Sequence, residues 1–267
     1  MEEKVKKIFK LFIFLSLVFV FHIYGFTFAV LGETRAGGKM VSPIFERIIE
    51  KIKEFNPDFI IHTGDWMDFP DREGWLNFLR IMKKEGVPFY LVVGNHETSS
   101  EWNKWTSLYH ELVKKPLYYS FKYENSLFII LCCYIEKNGK TIPHILGKNQ
   151  LKWLEEKLKE GMKNDFIFVF VHEPLFPVFR HIGASLDKNS EERNKIANLF
   201  RKYGKDKLFL FCGHEHLYNV KKLKGFTQII TGGGGAVLHA PYNKGGFFHF
   251  LIVNVENGKV KINVVKP

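Results

Sequence analysis

Short apolar runs alternate with amphipathic segments through the N-terminal half of the chain. The runs at 26–31 and 89–93 are almost wholly apolar, as in strands that are covered on both faces. A third strand is predicted at 58–63, around the apolar residues 59–61. After Ser42-Pro43, a typical cap and first-turn proline, isoleucines recur at helical spacing as far as Asn56-Pro57, which predicts a helix. The alternation of strand and helix indicates an α/β fold with parallel strands.

The remaining segments extend this prediction. Amphipathic patterns predict helices at 72–85, 147–161 and 190–203, and a short helix within 98–116. Apolar or alternating runs predict strands at 118–123, 126–134, 166–171 and 207–212, and a tail of strands at 218–223, 227–231, 247–255 and 259–265. The residues at 136–146 are predicted to form a loop.

The first residues of the chain have a pattern of their own. Lys4, Lys6, Lys7 and Lys10 precede the apolar run 11–21, which is typical of a secretory signal. An uncleaved membrane anchor over residues 8–25 and a buried N-terminal helix are the alternatives. We therefore predict that 1–25 is a signal peptide or an anchor with possible membrane association, that 26–267 is the globular domain, and that this domain is exported.

Composition narrows the class of protein. Hydrophobic residues make up 46% of the 267 residues, enough for a sizeable core, and the formal charge is +11. Lysine supplies most of that charge, and it is not clustered with aromatic residues as in nucleic-acid binders, so no nucleic-acid partner is expected. Three cysteines, Cys132, Cys133 and Cys212, indicate buried thiols rather than a disulfide framework.

Polar residues with metal-binding or acid–base chemistry follow five of the apolar runs. Because the carboxyl ends of parallel strands meet at one edge of a sheet, we expect these side chains to lie close together. Histidine, carboxylate and amide ligands suit divalent Mn, Fe or Zn. The residues are Glu33, Asp65, Asn95 with His96, His172, and His214 with His216.

These residues stand in motifs that resemble those of the calcineurin-like metallophosphoesterase family. Three motifs match the family pattern: Gly64-Asp65-Trp66-Met67-Asp68, Gly94-Asn95-His96-Glu97 and Gly213-His214-Glu215-His216. The lone His172 is a fourth, and Tyr118 to Phe121 and Gln150 to Leu154 are similar to the purple-acid-phosphatase branch. The resemblance implies a four-layer α/β/β/α sandwich of two mixed sheets flanked by helices.

The resemblance also implies a role for each residue in hydrolysing a phosphate ester of a small molecule or phosphorylated ligand. Two divalent metal ions would share Asp65, and a hydroxide between them would attack phosphorus. His96 would protonate the leaving oxygen, and Asp68 would orient His96. The first metal would take Glu33 and His216, and the second Asn95, His172 and His214.

The motif at Glu33-Thr34-Arg35 departs from the family, which has aspartate and histidine at its first and third positions. Glutamate can still ligate a metal, but arginine cannot. Arg35 and, more remotely, His181 are candidate substrate contacts, and a salt bridge is the alternative for Arg35. Two other functions stay open: a non-catalytic binding module built on a weakened metal site, and a metal-dependent nuclease.

Overall fold

The computed structural model describes residues 25–38 and 40–267. Its helices are α1 (Pro43–Ile52), α2 (Arg72–Lys84), α3 (Trp102–Leu112), α4 (Gly147–Gly161) and α5 (Ser190–Gly204). Its strands are β1 (Phe26–Leu31), β2 (Phe59–His62), β3 (Phe89–Leu91), β4 (Tyr119–Tyr123), β5 (Ser126–Ile130), β6 (Tyr134–Lys137), β7 (Lys140–Pro143), β8 (Phe166–Phe170), β9 (Leu208–Cys212), β10 (Tyr218–Leu223), β11 (Phe226–Thr231), β12 (Phe250–Glu256) and β13 (Lys259–Val265).

The strands form two mixed sheets. One has the order β13-β12-β1-β2-β3, in which β1, β2 and β3 are parallel and β12 and β13 are antiparallel. The other has the order β10-β11-β9-β8-β5-β4, in which the four central strands are parallel and each edge strand is antiparallel. The predicted fold class is confirmed.

Alternation along the strands divides the core into layers. Between the two sheets lies an aromatic cluster to which Phe28, Phe59, Phe128 and Phe168 belong. Neighbouring residues on the same strands, such as Ala29 and Ile60, face the other way and pack with apolar residues of the helices. Since successive side chains of a strand point to opposite faces, each sheet is covered on both sides and the sandwich has four layers.

The predicted helix after Ser42 is confirmed in detail. The Ser42 hydroxyl accepts a hydrogen bond from the Ile44 N–H at 3.2 Å, which caps α1. The helix ends at Ile52, and a 3-10 turn continues to Phe55, where Asn56 adopts a left-handed conformation. The other predicted helices also occur.

The prediction of a loop over 136–146 is wrong. Strands β6 and β7 form an antiparallel hairpin there, with Lys137 opposite Lys140. Asn138 and Gly139 at its tip have φ of 53° and 74°, the positive values that a tight two-residue hairpin turn requires. The Asn-Gly pair was the signal for this turn in the sequence.

The segment predicted as a signal peptide or anchor, residues 1–25, lies outside the described residues except for Gly25. Among the helices that the structure describes, none is long and apolar enough to cross a membrane.

Candidate metal centre

The polar residues that follow β1, β2, β3, β8 and β9 converge at one edge of the sandwich. Ligand atoms of Glu33, Asp65 and His172 all lie within 4.8 Å of one another, and the three residues are buried. His172 Nε2 lies 3.3 Å from Asp65 Oδ1, 3.0 Å from Asn95 Oδ1 and 3.1 Å from His214 Nδ1. The predicted ligands on one side of the site are therefore brought together.

Backbone carbonyls fix which nitrogen of each imidazole is free. His172 Nδ1 lies 2.9 Å from the Thr63 carbonyl, and His214 Nε2 lies 3.0 Å from the Ala184 carbonyl. Because a carbonyl oxygen only accepts, these nitrogens carry the hydrogens, and His172 Nε2 and His214 Nδ1 are left with lone pairs. Burial also lowers the pKa of His214 well below its usual range, so its imidazole is neutral at pH 7.

Glu33 and His216 form the other side of the site. His216 Nδ1 donates to the Val237 carbonyl at 2.5 Å, and its Nε2 lies 3.0 Å from Glu33 Oε2. Burial acts to lower the pKa of His216, but Glu33 outweighs it, and the pKa lies above its usual value. Glu33 Oε1 accepts a hydrogen bond from the His214 N–H at 2.5 Å. Glu33 Oε2 is buried and faces His216 Nε2, and a cation between these two atoms would take both as ligands.

The backbone is strained at three of these residues. Glu33, Asp65 and His214 have φ of 63°, 58° and 69°, in the left-handed region that residues with a Cβ seldom adopt. Such conformations persist where surrounding contacts hold them, and they cluster at functional sites. Here the strain turns the three side chains inward from the ends of their strands.

The donor set fits divalent metal ions. Two imidazole lone pairs face each other at 3.1 Å beside a buried carboxylate and an amide oxygen. Burial acts to raise the pKa of Asp65, but protonation of His172, His96 or His214 and the hydrogen bond from the His96 N–H act against it, and the carboxyl has a pKa below its usual range. Converging lone pairs and anionic oxygens repel one another unless a cation lies between them. Asp65, Asn95, His172 and His214 would hold one ion, and Asp65, Glu33 and His216 a second.

Glu97 braces the loops that carry Asp65 and Asn95, a role that the sequence analysis missed. Its buried carboxylate accepts hydrogen bonds from the N–H groups of Gly94, Asp65 and Trp66 at 2.8 Å each and of Met67 at 3.3 Å. Gly94 must be glycine, because a Cβ there would lie 2.3 Å from Asp65 Oδ1. The position of Glu97 beside His96 was the only signal in the sequence.

His96 lies at the rim of the site and is partly exposed. Its N–H donates to Asp65 Oδ1 at 3.1 Å, and its Nε2 lies 3.9 Å from Asp65 Oδ2. Its Nδ1 lies 3.0 Å from the backbone carbonyl of Asp68. Asp68 therefore contacts His96 as expected, but through its backbone, because its carboxylate pairs with Arg35 at 2.9 Å.

His181 lies beside the metal ligands. Its ring is 3.9 Å from that of His214, and burial lowers its pKa to about 4. His239, which the sequence analysis did not single out, stacks on His216 at 4.3 Å and contacts Arg180. Glu215 holds the loop around His181 in place by accepting from its N–H and from those of Val178 and Phe179.

A cavity of about 560 Å³ opens next to the Glu33 side of the site. Arg35, Asp68 and His216 line it, together with small residues such as Ala36 and Ala236. A cavity lined by an arginine, a histidine and small residues can receive a compact anionic ligand.

Comparisons with known proteins agree with this geometry. Residues 40–218 match the calcineurin-like phosphoesterase family. The chain is 28% identical over 161 residues to a probable glycerophosphodiester phosphodiesterase of Arcobacter nitrofigilis, which covers 60% of this chain and 57% of that protein. It is 24% identical over 191 residues to a 3',5'-cyclic adenosine monophosphate phosphodiesterase of Haemophilus influenzae, which covers 70% and 65%.

Structural comparison gives the same fold. The purple acid phosphatase PPD1 of yellow lupin superposes with a TM-score of 0.71 at 18% identity, over 91% of this chain and 52% of that one. The chain spans somewhat more than half the length of the first of its curated relatives. From the family match over residues 40–218, we conclude that the chain belongs to the calcineurin-like phosphoesterase family.

Proposed function

We propose that the protein hydrolyses small phosphodiesters at a centre that binds two divalent metal ions. One observation carries the proposal: His172 Nε2 and His214 Nδ1, the unprotonated ring nitrogens, converge with the oxygens of Asp65 and Asn95. The two similar enzymes named above are both called phosphodiesterases, which favours a diester over a monoester. When bound, the divalent ions supply Lewis-acid activation of the phosphate and of water.

The side chains around the centre have separate roles in the proposed reaction. Asp65 lies between the two groups of ligands and reaches both. His96 donates its Nδ1 hydrogen to the Asp68 carbonyl, which turns Nε2 towards the site. In its protonated form the imidazole gives a proton from Nε2 to the leaving oxygen, which would otherwise depart as an unstable alkoxide. Arg35 and His181 would contact the phosphate or its substituent.

The acid role of His96 is tested by comparing leaving groups. We expect H96A to lower kcat about 10²–10⁴-fold on an alkyl phosphodiester, because an alkoxide needs the proton, and much less on a nitrophenyl diester. The exposed His110, replaced by alanine, is the matched control. Full activity of H96A on the alkyl diester would refute the acid role.

The same preparations separate the alternative functions. Binding of less than one Mn²⁺ and no hydrolysis of any phosphate ester would favour a non-catalytic module. Salt-dependent binding and cleavage of plasmid DNA would favour a nuclease. A panel of monoesters and diesters with Mn, Zn and Fe would establish the substrate class and the metal.

Export is part of the proposal and rests on the lysine-rich start and apolar run of the first residues. Expression of the full chain followed by cell fractionation tests it. Recovery of the protein in the cytoplasm alone would contradict export, and recovery with the membrane would favour an anchor over residues 8–25.

A further inference from the structure

The two groups of metal ligands differ in their donors. One group contains Asp65, Asn95, His172 and His214, whose free donor atoms lie within 3.3 Å of His172 Nε2. The other contains Asp65, Glu33 and His216. Glu33 Oε2 lies 3.0 Å from His216 Nε2, and Glu33 Oε1 accepts from the His214 N–H. With three residues against four, the second group is poorer by one donor.

Arg35 brings a fixed positive charge to the poorer group. Its guanidinium Nη1 lies 2.9 Å from Asp68 Oδ1, and its Nε lies 3.7 Å from Asp65 Oδ2. Burial acts to lower its pKa, but Glu33, Asp65 and Asp68 outweigh it, and the pKa lies above its already high usual value. A guanidinium keeps its charge at every pH at which the protein is folded.

The ion pair with Asp68 keeps that charge in place. Only 22% of the Arg35 side chain and 10% of the Asp68 side chain are exposed. If Arg35 swung out to make room for a metal ion, the Asp68 carboxylate would stay behind, largely buried and without its partner. Separating a buried pair in this way is costly. Arg35 therefore competes with a cation for Asp65 Oδ2 whenever the pair is intact.

We propose, on the basis of the metal centre argued above, that its two positions are unequal and that Arg35 makes them so. The position formed by Asp65, Asn95, His172 and His214 binds a divalent ion tightly. The position at Glu33 and His216 binds a second ion more weakly, because the guanidinium repels it. Arg35 supplies a permanent positive charge there that needs no metal.

Metal counting on the full chain tests this proposal with Mn²⁺ as the probe. Protein stripped with a chelator is titrated with Mn²⁺ by calorimetry, and bound metal is counted by mass spectrometry. We expect one tight equivalent and a second that is at least about tenfold weaker. The electron paramagnetic resonance signature of two coupled Mn²⁺ ions should appear only when the second equivalent binds.

Variants of Arg35 assign the cause. R35Q removes the charge and should strengthen the second equivalent about tenfold, and R35H, which also adds a donor, should strengthen it further. H214A should abolish the tight equivalent. R72Q is the matched control, because Arg72 forms an exposed ion pair with Glu111. Circular dichroism confirms that each variant is folded.

Three results would overturn the inference. The first is that the wild-type protein binds two equivalents of Mn²⁺ with equal affinity. The second is that the affinity of the weaker equivalent is unchanged in both R35Q and R35H. The third is that the tight equivalent is kept in H214A and lost in E33A. The proposed function stands in all three cases because metal still binds. Absence of Mn²⁺ binding in wild-type protein and variants alike would instead refute the metal centre itself.

Discussion

Glu97 is the residue on which the geometry of the metal centre depends most, although it binds no metal. Its carboxylate is buried and accepts four backbone N–H groups, two on each oxygen. Three of these groups belong to the segment from Asp65 to Met67, and the fourth belongs to Gly94. We therefore predict that E97Q destabilises the protein and misplaces Asp65.

The structure gives the magnitude of the effect. Glutamine keeps one oxygen, so two of the four N–H groups lose their acceptor and face an amide NH₂. Each hydrogen bond to a charged group contributes about 1.5–3 kcal/mol, which gives about 3–6 kcal/mol for two. Burial and the nearby Asp65 raise the pKa of Glu97 well above its usual range, so removing this charge offsets part of the loss. The net decrease in the free energy of unfolding is then about 3 kcal/mol, a fall of about 6–12 °C in Tm for a domain of this size.

Urea denaturation of metal-free protein, followed by circular dichroism, measures this change. The control is E111Q, because Glu111 is 53% exposed and pairs with Arg72 on the surface, where such a pair contributes about 0.5 kcal/mol or less. If the free energy of unfolding of E97Q lay within about 1 kcal/mol of the wild-type value, Glu97 would not stabilise these loops as inferred. Mn²⁺ binding should weaken in E97Q and stay unchanged in E111Q.

Three further predictions concern a buried histidine, a glycine and the metal. Burial lowers the pKa of His249 to about 4, against about 6.5 in the unfolded chain, so only the unfolded state binds this proton between those values. The free energy of unfolding should fall by about 3 kcal/mol as pH drops from about 6.5 to about 4. Denaturation of H249Q should show a smaller fall over the same range. An equal dependence of the unfolding free energy on pH in the two proteins would contradict this prediction. G94A should lower the free energy of unfolding by about 1–3 kcal/mol, because its Cβ would lie 2.3 Å from Asp65 Oδ1. In the same assay G25A should match the wild type, because a Cβ at Gly25 would meet other atoms only at 3.5 Å or more. Mn²⁺ at about 100 times its Kd should stabilise the stripped protein by about 2.7 kcal/mol in thermal melts, and should not do so in H214A.

The hairpin at β6 and β7 shows where sequence patterns mislead. The segment from Tyr134 to Pro143 has only a short apolar run and several charged residues, so its periodicity did not predict strands. In the structure the hairpin is a separate two-stranded sheet, and its residues are mostly exposed. An exposed hairpin buries little apolar surface, and its sequence therefore keeps only the turn residues Asn138 and Gly139 as a signal.

Asp68 shows a second limit of prediction from the sequence. The resemblance to the family implied that Asp68 orients His96, and the two do meet, but through the Asp68 carbonyl. Its carboxylate is taken by Arg35, thirty-three residues earlier in the chain. Which side chain pairs with the Asp68 carboxylate depends on the directions in which two loops point. Local patterns in the sequence do not predict those directions.

Local patterns along the chain were enough to predict the helices, most strands, the order of the motifs and the identity of the residues at the strand ends. They were enough because apolar periodicity and capping are local properties of the chain. Four features could be seen only in the folded protein: which ring nitrogen of each histidine faces the site, the hydrogen bonds of Glu97 to the loops of the centre, the contact of His239 with His216, and the position of Arg35 beside Asp65. These depend on contacts between distant segments, such as His172 with Asn95 across seventy-seven positions, which form only when the two sheets pack together.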